Sequence, residues 1–151
     1  MKFFYLIFAS IIMFNCNKSE NYKDDIYEVG QIWQYQSRAG EENSELTIVN
    51  IENHQKNGVI INVFVDGLKI KNSMSPDGIS KEIQHLPFSK EAINKSVVKL
   101  KRKTSTLPDF KAGYNEWNSA FKAGKAGIFT VPVKEVIQMM EQVASPDSTK
   151  K

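Results

Sequence analysis

The chain reads as an α+β domain, a small twisted antiparallel β-meander of about four strands followed by about three helices packed on one face of it. Three observations predict this. Up to about residue 71 the apolar residues alternate or run in short β-branched blocks, beyond about residue 89 they recur at helical spacing, and the strand connections are too short for parallel crossovers.

Residues 31–37 alternate, with Trp33 and Tyr35 on one face against Gln34 and Gln36 on the other, the period of a half-buried strand. Residues 38–43, holding Gly40, form the turn. Residues 46–51 are β-branched and read as a second strand, closed by a polar turn at Asn57-Gly58. Residues 59–65 are almost all apolar, which predicts a third strand covered on both faces. It runs into Asp66-Gly67, whose tolerance of positive φ suits a tight hairpin. In the fourth strand Leu68 and Ile70 face one way and Lys69 and Lys71 the other; two lysines on a short strand suit a sheet edge.

The second half changes period. Residues 72–88, punctuated by Pro76-Asp77-Gly78 and Pro87, read as a loop with a little extended structure over 79–83. Ser89 is placed as an N-cap. After it, Ala92, Ile93, Val97 and Leu100 share one helical face, with Lys95 and Lys99 off it. Pro108 suits the first residue of another helix, along which Phe110, Tyr114, Trp117 and Phe121 recur at spacings of four, three and four, and Gly124 is its stop. Residues 128–131 are briefly extended. Pro132 opens a last helix with Val133, Val136, Ile137, Met140 and Val143 as its apolar stripe. The tail, 145–151, is expected to be disordered.

The N-terminus carries the clearest cellular signal. Lys2 is followed by an apolar run over residues 3–14, closed by Asn15 and Cys16, the layout of a secretory signal over residues 1–16. That run is shorter than the roughly 18 residues a membrane span needs. Cys16 is the only cysteine and cannot form an internal disulfide, so it is the expected site of lipidation, although Phe14 and Asn15 depart from the small residues usual before such a cysteine. Ordinary cleavage near Asn17-Lys18-Ser19 and an uncleaved anchor are the alternatives. A lipid on Cys16 makes the membrane the first partner, and Asn17 rather than Asp after it favours the outer membrane, facing the periplasm or the surface; an unlipidated chain is periplasmic. Residues 17–25 then serve as a tether and residues 26–144 as a single domain.

About 135 residues follow Cys16, and 25% charged against 41% apolar residues is ordinary globular usage. The formal charge of +3 falls by one without Lys2, too balanced to argue for nucleic acid.

Chemistry-bearing patterns are sparse. His54 and His85 with the lone cysteine assemble no spaced metal site, and Gly78-Ile79-Ser80-Lys81-Glu82 lacks the closing glycine of a nucleophile elbow. Gly124-Lys125-Ala126-Gly127 follows a helix instead of opening one, unlike a phosphate loop. No catalytic residue, metal or cofactor is assigned; if an enzyme is present, His85 with Glu82 or Asp77 is where it would be. The four aromatic residues at helical spacing read as core, meeting Trp33 and Tyr35 across the sheet, against the alternative of a pocket wall. Lys99, Lys101, Arg102 and Lys103 read as cations at a helix C-terminus, against docking on anionic lipid. The candidate interaction surface comprises Arg38, Glu41, Glu42, His85, Lys101, Arg102 and Lys103.

The segments Gly30-Gln31-Ile32-Trp33-Gln34-Tyr35, Arg38-Ala39-Gly40-Glu41-Glu42, Val65-Asp66-Gly67-Leu68-Lys69-Ile70-Lys71-Asn72, His85-Leu86-Pro87-Phe88-Ser89 and Ala123-Gly124-Lys125-Ala126-Gly127 resemble a family of small bacterial envelope proteins that has no assigned function. The likeness covers roughly residues 29–142. It implies a single domain and brings no activity, ligand or site residue.

Three functions remain open on this reading. The first is a non-enzymatic envelope lipoprotein that contacts another protein or an envelope component. The second is a periplasmic immunity or inhibitor protein. The third is a small-molecule carrier or weak enzyme with a cleft between helices and sheet, a reading that gains if Trp117 or Tyr114 lies in a pocket wall.

Overall fold

Alternation and β-branching carry the first three strands much as the sequence predicts. In the computed structural model, which describes residues 22–145, β1 spans Gln31–Tyr35, β2 Glu45–His54 and β3 Gly58–Asp66, paired antiparallel in that order. The expected signal over residues 1–16, Cys16 itself, the first part of the tether and nearly all of the tail lie outside the described residues. Of the tether's remainder, Asp24 is held firmly: it is buried, its Oδ1 accepts from the backbone N–H of Ile26 and Tyr27, and its Oδ2 meets Lys90 Nζ at 2.8 Å.

The chain is α+β, with a sheet larger than four strands. A two-stranded ribbon of β4 (Ile70–Lys71) and β5 (Ile79–Ser80) stands apart from a five-stranded sheet of order β6-β3-β2-β1-β7, whose edges are β6 (Ile83–Ser89) and β7 (Val97–Lys103). Gly67 does take a positive φ of 67°, and a Cβ there would lie 2.9 Å from Ser44 Cα, so the turn needs glycine. The chain beyond Gly67 does not form a hairpin in the main sheet. Leu68 and Ile70 are drawn into the core, and that pulls the fourth strand away from β3.

The place beside β3 is taken by β6, in a stretch expected to be mostly loop because of Pro87. The carbonyl of Pro87 accepts from Phe129 N–H at 2.9 Å on the outer edge, and the two polar groups of one strand residue point the same way. Its missing N–H therefore faces away from β3 and costs no ladder bond, as an edge strand allows.

Ser89 caps α1 (Lys90–Ser96) as expected, its Oγ accepting from Ala92 N–H at 3.2 Å. The helix is short. Ser96 Oγ donates to Ala92 O and accepts from Val133 N–H, and the chain turns extended at Val97, so the expected helical face through Val97 and Leu100 is a strand instead. The open edge of β1 supplies hydrogen bonds that a continued helix would have had to forgo, and the β-branched pair Val97-Val98 favours the extended form.

Helices lie on both faces of the sheet rather than on one. Ala92 and Ile93 of α1 and Val133, Val136 and Ile137 of α3 (Val133–Ala144) pack with Leu46, Ile48, Ile61, Val63, Val65, Leu86 and Phe88, all buried. Tyr27 and Trp33 meet edge to face on this side, their ring centroids 5.6 Å apart. The stripe of α3 is shorter than expected, because Met140 is exposed and Val143 is 82% exposed. Across the sheet, α2 (Lys111–Lys122) lies against the opposite side chains. Arg38 ties the periphery together: Nε and Nη2 bond Glu41, Nη1 reaches Glu141 Oε2 at 2.7 Å, and the two carboxylates accept from the backbone N–H of Lys69 and Lys71.

Candidate functional site

On the face under α2, strand alternation brings polar side chains together. Asn50 and Glu52 of β2 stand beside Asn62 of β3, and His85 of β6 stands beside Asn62. Glu52 Oε1 accepts from Asn50 Nδ2 and from Asn62 Nδ2, each at 3.0 Å, while Glu52 Oε2 lies 3.0 Å from His54 Nε2. Because the amide N–H₂ of Asn62 faces a carboxylate, its Oδ1 is the acceptor for His85 Nε2 at 2.8 Å. The neutral imidazole thus carries its proton on Nε2 and keeps a bare lone pair on Nδ1.

Burial sets the electrostatics. It pushes His85 down from 6.5 to about 4, against the weaker opposing pull of Glu52, so the ring is neutral near pH 7. The Tyr114 hydroxyl is pushed up to about 12 by burial and by the neighbouring Glu52 carboxylate. Asn62, in the middle of the most apolar strand, is fully buried and satisfied by this network.

The aromatic residues of α2 sit over that network rather than in the main core, and none of the helix's residues is fully buried. With Phe110 just before the helix they form a continuous ladder, Phe110 to Tyr114 at 6.1 Å, Tyr114 to Trp117 at 5.9 Å and Trp117 to Phe121 stacked at 4.8 Å. His85 packs against Tyr114 and Trp117, and His54 against Phe121. The expected meeting with Trp33 and Tyr35 does not occur, since those two side chains belong to the opposite face. Gly113 allows the close approach of helix and strand: a Cβ on it would lie 3.0 Å from His85 Cβ.

Beside the ladder, between α2, β6 and residues 126–129, lies an open cleft of about 530 Å³. Trp117 forms one wall, its indole N–H donating to Gly127 O at 2.9 Å while Phe121 stacks on one face of the ring. His85, Glu116 and Gly113 complete that side, facing Ile128 and Phe129. The arrangement can hold a flat apolar body while offering acceptors at its edges.

Of the residues named for the interaction surface only His85 lies at this cleft, joined there by Trp117, the alternative pocket-wall residue. The partners of His85 are Asn62, Tyr114 and Trp117 rather than Glu82 or Asp77, and Asp77 instead pairs with Lys81 at 3.1 Å. Glu41 is 3% exposed and Arg38 is engaged with two carboxylates, so this pair is an internal clamp. Burial opposes ionisation of Glu41, but the Arg38 guanidinium and the Lys69 N–H together outweigh it and hold the carboxyl below its usual range. Glu42 remains exposed and accepts from Gly40 N–H. Lys101, Arg102 and Lys103 lie on the edge strand β7, not at a helix terminus; Lys101 and Arg102 face Glu45, and Lys103 pairs with Glu28. Their physical role there is the one foreseen for Lys69 and Lys71, charged cover for a sheet edge.

Sequence reasoning passed over Asn50, Glu52, Asn62, Gly113 and Glu116. One signal was present: a lone Asn inside Val59-Ile60-Ile61-Asn62-Val63-Phe64-Val65 must find buried partners. Comparison of the chain with protein-family models, with characterised proteins and with solved structures finds no match.

Proposed function

We propose that this protein is an exported lipoprotein of the bacterial envelope, tethered through Cys16, whose domain binds a ligand in the cleft beside α2 and does no catalysis there. The observation that carries the binding reading is the position of Trp117. Its helical spacing suits a core residue, yet it is only partly buried and walls an open cleft of about 530 Å³, a size typical of small-ligand sites. His85 supports a binding role over a catalytic one, because its proton is committed to Asn62 and that amide is locked in turn by Glu52. The tether rests on the apolar run over residues 3–14 and the single cysteine that ends it.

Two measurements test the two halves of this reading. The intact mass of the mature chain extracted from its own membranes should show an acylated N-terminus at Cys16, lost together with membrane retention in Cys16→Ser; an unacylated chain beginning later removes the tether. Amide and indole NMR signals of the extracted protein, followed during a small-molecule screen, should shift at Gly113, Trp117 and Gly127. Shifts confined to other surfaces would remove the cleft as the site.

A further inference from the structure

We infer that the cleft takes an organic cation, a ligand with a flat or aryl body and a protonated amine. This rests on the binding reading above and adds the ligand's chemistry. No polar side chain on the cleft wall has a free N–H or O–H to donate. Glu116 brings a carboxylate; His85 donates its Nε2–H to Asn62 Oδ1 and, as the neutral ring, has no second N–H; Trp117 donates its indole N–H to Gly127 O and stands in the aromatic wall with Phe121 stacked on it. Among the described residues no lysine or arginine lines the cleft, and Glu116 is the one charged side chain on its wall. Glu116 is exposed, so a neutral ligand gains nothing from its charge and an anion would meet repulsion. A cation pairs with the carboxylate, and beside the aromatic wall it gains the attraction of the ring quadrupoles as well. The remaining wall, Leu86, Pro87, Ala120, Ile128 and Phe129, is apolar and suits the ligand's body.

The discriminating experiment uses three probes of nearly equal shape and different charge, phenethylamine, phenethyl alcohol and 3-phenylpropionate, titrated into the full mature chain in nonionic detergent. The readouts are the Trp117 indole N–H signal and the amide signals of Gly113 and Gly127. Phenethylamine should saturate these shifts at least tenfold more tightly than the alcohol, with the carboxylate weakest. Glu116→Gln should erase the preference for the amine, whereas Glu135→Gln, on exposed α3 surface, should keep it. Equal affinity for amine and alcohol, or a preference that survives in Glu116→Gln, overturns the cation assignment while the cleft remains a binding site. If none of the three probes moves the cleft signals, the binding reading falls with it.

Discussion

The two faces of the main sheet are built from the same strands and do different work. Along β3, Ile61, Val63 and Val65 turn to α1 and α3 and are sealed in a dry core, while Ile60, Asn62 and Phe64 turn to the other face. There Asn62 joins Glu52, Asn50 and His85 in a hydrogen-bonded net roofed by aromatic rings that still reach solvent. Apolar packing is non-directional and tolerates no water, so the first face supplies stability. Directional bonds and half-open rings recognise shape and charge, so the second face suits binding. One strand can serve both because its side chains alternate with a period of two.

The largest test of this contrast is on the dry face. Phe88→Ala, at a fully buried site, should cost about 3–5 kcal/mol in urea unfolding. On the polar face Asn62→Ala should cost about 1–3 kcal/mol, because it strips His85 and Glu52 of a partner and leaves polar groups under cover. Trp117→Ala should cost less again, about 1–2 kcal/mol, since the ring borders the cleft and is only partly buried, so less apolar area leaves cover. If it costs as much as Phe88→Ala, the two faces are equivalent cores and the distinction between them fails.

The smallest effect is the most specific. His85 is held near 4 when folded against 6.5 unfolded, so between those values the unfolded chain binds more protons. The stability His85 contributes is complete above pH 6.5 and is lost as pH falls towards 4. The melting temperature should decline across that window, and His85→Gln should flatten the decline; an unchanged slope in the variant would place the effect elsewhere. Below pH 4 a further loss is expected as Asp24 and Glu41 protonate: burial favours their neutral forms, but Lys90 and Arg38, with backbone N–H donors, outweigh it and hold both carboxyls below their ordinary range. Comparing wild type with Arg38→Met over the same range separates this second loss from that of His85.

Much of this architecture could be read from local signals. The alternation around Trp33 and Tyr35, the β-branched run of β3, the Ser89 cap, the Gly124 stop with its φ of 70° and Pro132 before α3 each act within a few residues and appear where expected. Boundaries shifted where a cue was weak: Pro108 lies before α2, which starts at Lys111. The strand β7 carries a period of two of its own, Val98, Leu100 and Arg102 alternating with Lys99, Lys101 and Lys103. Its first residues also fit the helical face of Ala92 and Ile93, and over so short a stretch the two periods overlap. The aromatic spacing of α2 was legible, but the face it covers was not.

By itself, then, the sequence determined the class of fold, the amphipathic stripes and most turns, because propensity, capping and periodicity are properties of neighbouring residues. Only the tertiary structure decided that β6 and not the fourth strand pairs with β3, that β7 closes the other edge, that Arg38 and Glu41 are buried in a clamp, and that α2 crosses to the polar face to open a cleft over His85. Those outcomes depend on which distant groups share a strand edge or a face, and a pattern with two residues or one turn of memory carries no record of that choice.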